Sequence, residues 1–273
     1  MTTTTATTES TTTEATRRRG SPRFSGTIVS LILPVVILIT WWFVSANSTS
    51  PFFPPLQLIL QTFVEAWLSA RVMSDIVPSL TRLVVGFLIA VVVGVSLGAL
   101  LGRLRIAAYA LNPVLQFFRS LPATSLIPVA VVLFGIGDTP KIVLIAFVSS
   151  FPILLNTIDG VRNIDPVIED VSRSFRLTKM QRLRWVQLHA ASPQVISGMR
   201  IALSLAFVVM VSSEMLGATN GMGYVTLLAQ QGFQITLMWS GLILLGLIGL
   251  LVNGIFILVE RKLLHWYTQN QED

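Results

Sequence analysis

Cysteine is absent from this chain, and charged residues make up only 12% of its 273 residues. The absence of cysteine excludes disulfide bonds, thiolate metal sites and cysteine nucleophiles. Histidine occurs only as His189 and His265, so a metal site built on imidazole ligands is not expected. A hydrophobic share of 53% and a mean hydropathy of +0.74 exclude an ordinary soluble domain. These values are typical of proteins that cross a membrane several times.

Sequence motifs of common catalytic sites are also absent. The pattern G-x-x-x-x-G-K-[S/T] does not occur, so the chain is not expected to hold nucleotide phosphates in a P-loop. Neither G-x-S-x-G nor H-E-x-x-H is present. The net charge of +6 does not indicate nucleic-acid binding, because the basic residues lie beside apolar stretches rather than on one soluble face. We therefore expect no enzymatic activity, no cofactor or metal bound by this chain, and no nucleic-acid partner.

Six long apolar stretches predict an all-α polytopic membrane protein with six transmembrane helices. The third stretch contains Pro113, Pro122 and Pro128, so an interrupted helix near a transport pathway is expected there. A cleaved signal peptide is the alternative for the first stretch, but its apolar core is longer than such peptides usually have. A surface helix is expected between the first two spans, from Leu56 to Leu68. The spans are placed at residues 27–46, 83–102, 106–137, 142–158, 195–215 and 237–259.

Basic residues are distributed unequally between the two sides of these spans. With the N-terminus in the cytoplasm, sixteen Lys and Arg face the cytoplasm and only Arg71, Arg82 and Lys141 face outward. This bias predicts that both termini are cytoplasmic and that the protein lies in the plasma (inner) membrane, in contact with the lipid bilayer. Residues 1–26 are rich in Thr and then basic, which predicts a disordered cytoplasmic tail. Residues 27–273 are expected to form a single transmembrane domain.

Small residues recur at every fourth position of the second span. Four glycines and Ala90 form this stripe, which leaves one helix face nearly bare of side chains. Such a face lets helix backbones approach closely in lipid. The stripe is interpreted either as a specific contact within or between subunits or as generic helix packing. Its glycines are Gly86, Gly94, Gly98 and Gly102.

Three charged residues lie within or beside the predicted spans. A charge in hydrocarbon is costly, so Glu214 is a functional candidate that lines a gate or pairs with a cation on a neighbouring helix. The alternative is that its carboxylate reaches the interface and accepts hydrogen bonds from loop N–H groups. Arg119 and Arg200 lie near helix ends, where long side chains usually extend into water.

A charged segment between the fourth and fifth spans has the pattern of a short amphipathic helix pair. Asp165 is suited to cap the first helix and Pro166 to its first turn. Thr178 and Gln181 have the spacing of a capping box for a second helix. Since an apolar stripe on a cytoplasmic loop needs to be covered, this segment predicts a protein partner. The apolar positions at helical spacing are Val167, Ile168, Val171 and Phe175.

The same segment resembles the loop of ABC-importer permeases whose pattern is E-A-A, three residues and then Gly. On that alignment Asp170-Val171-Ser172 takes the place of E-A-A and Arg176 takes the place of Gly. Leu188-His189 replaces a Leu-Pro pair, and the run from Gly198 to Leu203 is similar to the motif that follows it. Further segments between residues 75 and 235 resemble the nitrate/sulfonate/taurine branch of the family: Pro78 to Arg82, Pro113 to Pro122, Phe134 to Gly137, Phe151 to Asn156 and Glu214 to Gly217.

The resemblance implies the permease subunit of an ATP-driven importer for a small, anionic solute of the nitrate, sulfonate or taurine type. The implied partners are two ATPase subunits that bind ATP, a second permease copy forming a homodimer, and an extracytoplasmic solute-binding protein. Arg119 and Glu214 become candidates for the translocation pathway, with Arg119 attracting the anion. A secondary transporter or channel without an ATPase is the alternative. The residues expected to couple the ATPase to the spans are Val167, Ile168, Asp170, Val171, Phe175 and Arg176.

Arg176 stands where the family pattern has glycine. Glycine would allow a left-handed turn at no steric cost, whereas an arginine with positive φ is disfavoured. We therefore predict right-handed dihedrals for Arg176 and a side chain that faces water or Asp170. A substitution of Arg176 by glycine is then expected to leave transport nearly intact.

Overall fold

The structure is a computed structural model that describes residues 23–68 and 71–265, and every regular element among them is helical. The predicted tail at residues 1–26 therefore lies almost wholly outside the described residues. A π-helical turn, Val72–Ile76, leads into α3, and a second one, Arg182–Gln187, leads into α9. The helices are α1 Arg23–Ser45, α2 Leu56–Trp67, α3 Val77–Arg103, α4 Arg105–Ser120, α5 Ala123–Phe134, α6 Asp138–Arg162, α7 Pro166–Ser174, α8 Lys179–Gln181, α9 Leu188–Gly217, α10 Met222–Gln231 and α11 Ile235–Leu263.

Four of the described helices are long and apolar enough to cross a membrane. They are α3 and α9, each counted with the π-helical turn before it, and α6 and α11. A fifth span is counted if the bent pair α4 and α5 is taken as one crossing. In α1 the apolar segment Ile32–Ser45 is shorter than a full span. The all-α membrane fold agrees with the sequence, and the count of six spans stays a prediction.

The centre of the fold is the close packing of α3 on α6. Gly86 lies against Ile145 near the start of both helices, and Gly102 lies against Val161 near their ends, so the two helices run parallel. Parallel neighbours need a connection that returns the chain to the starting end. The bent pair α4 and α5 makes this return, and α9 then packs antiparallel to α6, with Gly198 against Asn156.

The third predicted span is interrupted at one position. The segments 106–120 and 123–134 are bent by 94° relative to each other. Leu121 is extended (φ −72°, ψ 128°), as expected for a residue before Pro122, whose ring also removes a backbone donor. Pro113 and Pro128 lie inside α4 and α5 without ending them. Of the three prolines in this stretch, only Pro122 coincides with the break.

The spans also extend further than hydropathy alone indicates. α3 begins at Val77 instead of residue 83, and α6 begins at Asp138 instead of residue 142. Arg82 and Lys141, which were counted on the outer side, therefore lie in helices and are buried, with 1% and 4% of their surface exposed. Arg82 pairs with Glu214, 132 residues away, whereas Lys141 lies 3.8 Å from Asp138 in its own helix.

Candidate functional site

The loop between α6 and α9 forms the predicted helix pair. The Asp165 carboxylate accepts a hydrogen bond from the Val167 N–H (2.8 Å), which caps α7. At the second helix the Thr178 N–H donates to the Gln181 side-chain oxygen (2.9 Å), and the Gln181 N–H donates to the Thr178 hydroxyl (3.3 Å). This reciprocal pair is a capping box. Both predicted caps are confirmed.

The turn between the two loop helices contradicts the prediction for Arg176. Arg176 has φ +51°, in the left-handed region. The Leu177 N–H donates to the Ser172 carbonyl oxygen (3.4 Å), five residues back, which is the wide hydrogen bond of a Schellman helix end. That motif requires a left-handed residue directly before Leu177, so the prediction of right-handed dihedrals was wrong. The turn has the conformation that glycine favours, and here arginine adopts it.

The apolar stripe of α7 is uncovered in the described chain. Its four side chains have between 42% and 75% of their surface exposed, and Phe175 is the most exposed of them. Asp170 and Arg176 are also exposed. An amphipathic helix whose apolar face is exposed in the described part of the chain is suited to helix-in-groove binding by a partner. We call the side chains of Val167, Ile168, Val171 and Phe175 the loop stripe.

One ion pair lies within this loop, and a second joins the helix that follows it to α11. Arg182 lies 3.8 Å from the Glu169 carboxylate, which joins the second loop helix to α7. Arg200 forms an ion pair with Glu260, which joins α9 to the end of α11. The π-helical turn continues directly into α9, which is long enough to cross a membrane.

A cleft of about 690 Å³ lies beside the break between α4 and α5. Its walls are mostly apolar and include Phe118, Phe147 and Phe151, which contact one another edge to face at 5.7 and 5.0 Å. Arg119 lines this cleft, as do Asn156 and Asp159. The structure thus places the predicted pathway residue Arg119 at a large cleft with few polar groups.

The glycine stripe of α3 faces α6. A Cβ atom added at Gly98 would lie 2.6 Å from Thr157 Cβ and 2.8 Å from the Leu154 carbonyl oxygen. At Gly94 the added atom would lie 2.7 Å from Ile153 Cβ. Only glycine permits this backbone approach. The stripe therefore forms a contact within one chain.

Glu214 lies at the opposite end of the helices from the loop and is fully buried. Its carboxylate accepts hydrogen bonds from the Arg82 guanidinium (2.7 Å), the Ser79 hydroxyl (2.6 Å) and the Gly223 N–H (3.0 Å). Glu214 is not among the residues that line the cleft beside Arg119. Pairing with a cation on a neighbouring helix was one of the two functional alternatives for Glu214, and the structure places Arg82 in that position.

Arg82 organises the rest of this network, which we call the Arg82 cluster and define as Asp75, Ser79, Arg82, Asp138, Glu214 and Asn220. Besides Glu214, the guanidinium donates to Asp138 (2.7 Å) and to the side chain and backbone oxygens of Asn220. The Gly221 N–H donates to Asp75 (2.9 Å). The cluster fixes the α9–α10 turn against the starts of α3 and α6. The sequence motif that contains Arg82 gives no sign of its pairing with Glu214, because 132 residues separate the two.

Comparisons with known proteins agree with this architecture. Residues 90–265 match the family model described as "Binding-protein-dependent transport system inner membrane component". The chain is 31% identical over 249 residues to a putative aliphatic sulfonates transport permease protein of Bacillus subtilis, covering 90% of each chain. It is 27% identical over 243 residues to the taurine transport system permease protein of Escherichia coli, covering 86% of this chain and 88% of that one.

A third relative is the bicarbonate transport system permease protein of Synechococcus elongatus, 29% identical over 253 residues, with 89% and 91% of the two chains covered. Among solved structures, a chain of the MetNI methionine ABC transporter in an inward-facing conformation matches with a TM-score of 0.62 and 22% identity. The match covers 69% of this chain and 94% of that chain. This structural likeness supports the fold. The chain belongs to the family of binding-protein-dependent transport system inner membrane components, and it is a multi-pass membrane protein.

Proposed function

We propose that the chain is the transmembrane permease subunit of an ATP-driven importer. In this proposal two permease chains form the conduit, two separate ATPase subunits dock on the cytoplasmic side, and an extracytoplasmic binding protein delivers the solute. ATP-driven closure of the ATPase pair moves the loop and shifts the conduit between outward- and inward-facing states. Family membership and the relatives named above support the assembly.

The observation that carries the proposal is the exposed loop stripe in a chain without a P-loop. Exposed apolar side chains on a short helix mark an interaction surface. Phe175 is the natural anchor, because aromatic side chains dominate binding energy at interfaces. The ATPase is the partner that the proposal assigns to this surface.

The substitution Phe175→Ala is expected to weaken ATPase binding by about 2 kcal/mol, the typical size of an interface hot spot. The measurement is the amount of ATPase that co-purifies with tagged permease, together with ATP-dependent uptake by membrane vesicles. Phe233→Ala is the matched control, since Phe233 is equally exposed (77% against 75%) but lies between α10 and α11, at the opposite end.

Unchanged ATPase recovery and uptake in Phe175→Ala would overturn the docking assignment. Uptake that continues in vesicles without any ATPase would favour the alternative, a secondary transporter or channel. The same vesicles test the solute class, with a labelled alkyl sulfonate as substrate and bicarbonate and a neutral amino acid as competitors.

We propose that the solute is a small anion that binds transiently near Arg119. A guanidinium matches the oxygens of sulfonate and carboxylate groups in pairs of hydrogen bonds. The relatives are named for sulfonates, taurine and bicarbonate. Each of these solutes has a group with negatively charged oxygens, which supports this choice. Arg119 is the cation among the residues that line the mostly apolar cleft, and Asp159 is the carboxylate there.

Orientation in the membrane is a separate part of the proposal. We expect reporter fusions after Gly137 and after Gly232 to be extracytoplasmic, and fusions after Arg162 and after Asp273 to be cytoplasmic. Paired reporters that are active on only one side of the membrane provide the measurement. A cytoplasmic signal from the Gly232 fusion would refute both the six-span topology and the placement of the loop stripe.

A further inference from the structure

A second, smaller cavity of about 180 Å³ lies behind the loop helices, away from the Arg119 cleft. It is formed where the ends of α3 and α6 meet the π-helical turn that precedes α9. Its walls are almost entirely polar, unlike those of the cleft. The charged and amide side chains that line it are Arg103, Arg162, Glu169, Arg182 and Gln187.

Positive charge prevails in this cavity. Three guanidinium groups face one carboxylate, which leaves two positive charges uncompensated among the lining residues. Glu169 lies 3.8 Å from Arg182, which is an ion pair but too long for a hydrogen bond. Arg162 donates only a long hydrogen bond to the Leu101 carbonyl oxygen (3.5 Å). The arginines are therefore held near one another without a set of acceptors to match.

The hydrogen-bonding capacity of the cavity is also unfilled. Among the residues that the structure describes, five buried side-chain atoms have no hydrogen-bond partner, and three of them belong to this cavity. They are Arg162 Nε, Arg182 Nε and Gln187 Oε1. An unsatisfied buried polar atom costs about 1–3 kcal/mol, and more when it is charged. Such a concentration at one place indicates a ligand that completes it.

We propose that this cavity binds a phosphate-type oxyanion. Planar guanidinium groups match the oxygens of phosphate bidentately, and a dianion would balance the two excess positive charges. Water alone would fill the hydrogen bonds but would leave the charge uncompensated. Because Gln187 Oε1 has no hydrogen-bond partner, a 180° rotation of the amide would present its NH₂ group to the anion.

The bound anion would join the ends of α3 and α6 to the π-helical turn before α9, which together surround the cavity. Arg103 ends α3, Arg162 ends α6, and Arg182 begins the π-helical turn that leads into α9. An anion held by all three would therefore tie the loop to the spans behind it. The phosphate group could belong to a free ion or to a lipid headgroup, and the experiment below separates these sources.

The test is the thermal unfolding of the purified full chain in a maltoside detergent. Inorganic phosphate replaces chloride stepwise at constant ionic strength, so that electrostatic screening by salt does not change. A saturable rise in the unfolding temperature is expected for the wild type. Arg182→Gln and, as a second variant, Arg103→Gln should bind phosphate roughly tenfold more weakly or not at all. Arg184→Gln is the control, since Arg184 lies beside Trp185 outside the cavity and should keep the full response.

A parallel titration with a short-chain phosphatidic acid, against the matching diacylglycerol, identifies the source. A response to the lipid but not to inorganic phosphate assigns the site to a headgroup, and a response to inorganic phosphate assigns it to a free ion. Both responses must be lost in the Arg182 and Arg103 variants. If neither titration gives a saturable response, or if Arg184→Gln loses it equally, the cavity contains only water and the proposal is refuted.

Discussion

The two ends of the helix bundle differ in how fully their charged groups are paired. At the end that carries Glu214, the buried side chains of Arg82 and Glu214 pair with each other, and Arg82 also pairs with the exposed Asp138. At the loop end, the loop stripe leaves apolar side chains exposed, and the cavity behind it leaves arginine nitrogens without partners. The charged groups at one end are paired within the described chain, whereas the loop end has charged groups that suit a ligand or a partner protein.

This difference indicates where the chain is rigid and where it depends on binding. A buried ion pair with full hydrogen bonding cannot be opened without leaving an uncompensated charge. The ion pair between Glu169 and Arg182 in the loop is longer (3.8 Å) and partly exposed, so it contributes far less to stability. We therefore expect substitutions at the Arg82 cluster to affect folding, and substitutions at the loop stripe to affect partner binding.

Arg82→Met tests the first half of this comparison and should have the largest effect on stability. The substitution keeps much of the side-chain volume but leaves Glu214 buried without its cation, which should lower the free energy of unfolding by about 3–5 kcal/mol. Arg71→Met is the control, because its pair with Asp75 is partly exposed and longer (3.7 Å). Thermal unfolding of both purified variants provides the measurement. Equal stability of the two variants would show that the Arg82 cluster does not hold this end together.

Gly98→Ala tests the helix contact that connects the two ends. The added methyl group would meet Thr157 and the Leu154 backbone at distances below 3.0 Å, so α3 must move away from α6. Overpacking of this kind costs about 1–3 kcal/mol.

Gly246→Ala is the matched control for that substitution, since nothing lies within 4 Å of its added Cβ atom. It should stabilise α11 by up to about 1 kcal/mol through helix propensity. Unfolding midpoints in the same detergent are compared. A Gly98→Ala variant as stable as Gly246→Ala would mean that the stripe tolerates a wider helix separation.

Arg176→Gly tests the loop end and should have the smallest effect, with the opposite sign. Removing the side chain relieves a left-handed conformation that costs an L-residue roughly 1–2 kcal/mol, partly offset by the greater freedom of glycine in the unfolded chain. We expect slower hydrogen exchange of the Leu177 amide, which donates to Ser172 across this turn. Faster exchange in the variant would show that contacts of the guanidinium outweigh the strain.

Phe233 provides an internal comparison for this turn. It also has a positive φ (+53°), and the Gln234 N–H donates to the Ala229 carbonyl oxygen (2.8 Å) in the same wide hydrogen bond. Phe233→Gly should therefore slow exchange of the Gln234 amide in the same way. Slower exchange at both helix ends would then have one physical cause, the relief of a left-handed conformation in a residue other than glycine.

Local signals in the sequence were sufficient for several parts of this structure. The caps formed by Asp165 and by Thr178 with Gln181 involve residues two or three positions apart, so their chemistry is visible in the sequence. The break at Pro122 follows from a restriction on the adjacent residue, although only the structure showed that Pro113 and Pro128 are accommodated within helices. The residue type at Arg176 does not indicate its left-handed conformation, because arginine ordinarily avoids positive φ, and the signal for it is the glycine of the family pattern.

The amino-acid sequence by itself determined the membrane class, the helical periods, the caps and the family, because each depends on composition or on residues close together in the chain. Only the tertiary structure decided which helix the glycine stripe contacts, that Arg82 neutralises Glu214, and that Arg103, Arg162 and Arg182 surround one cavity. These are contacts between helices that lie far apart in sequence. They depend on the direction and separation of packed helices, and hydropathy carries no information about either.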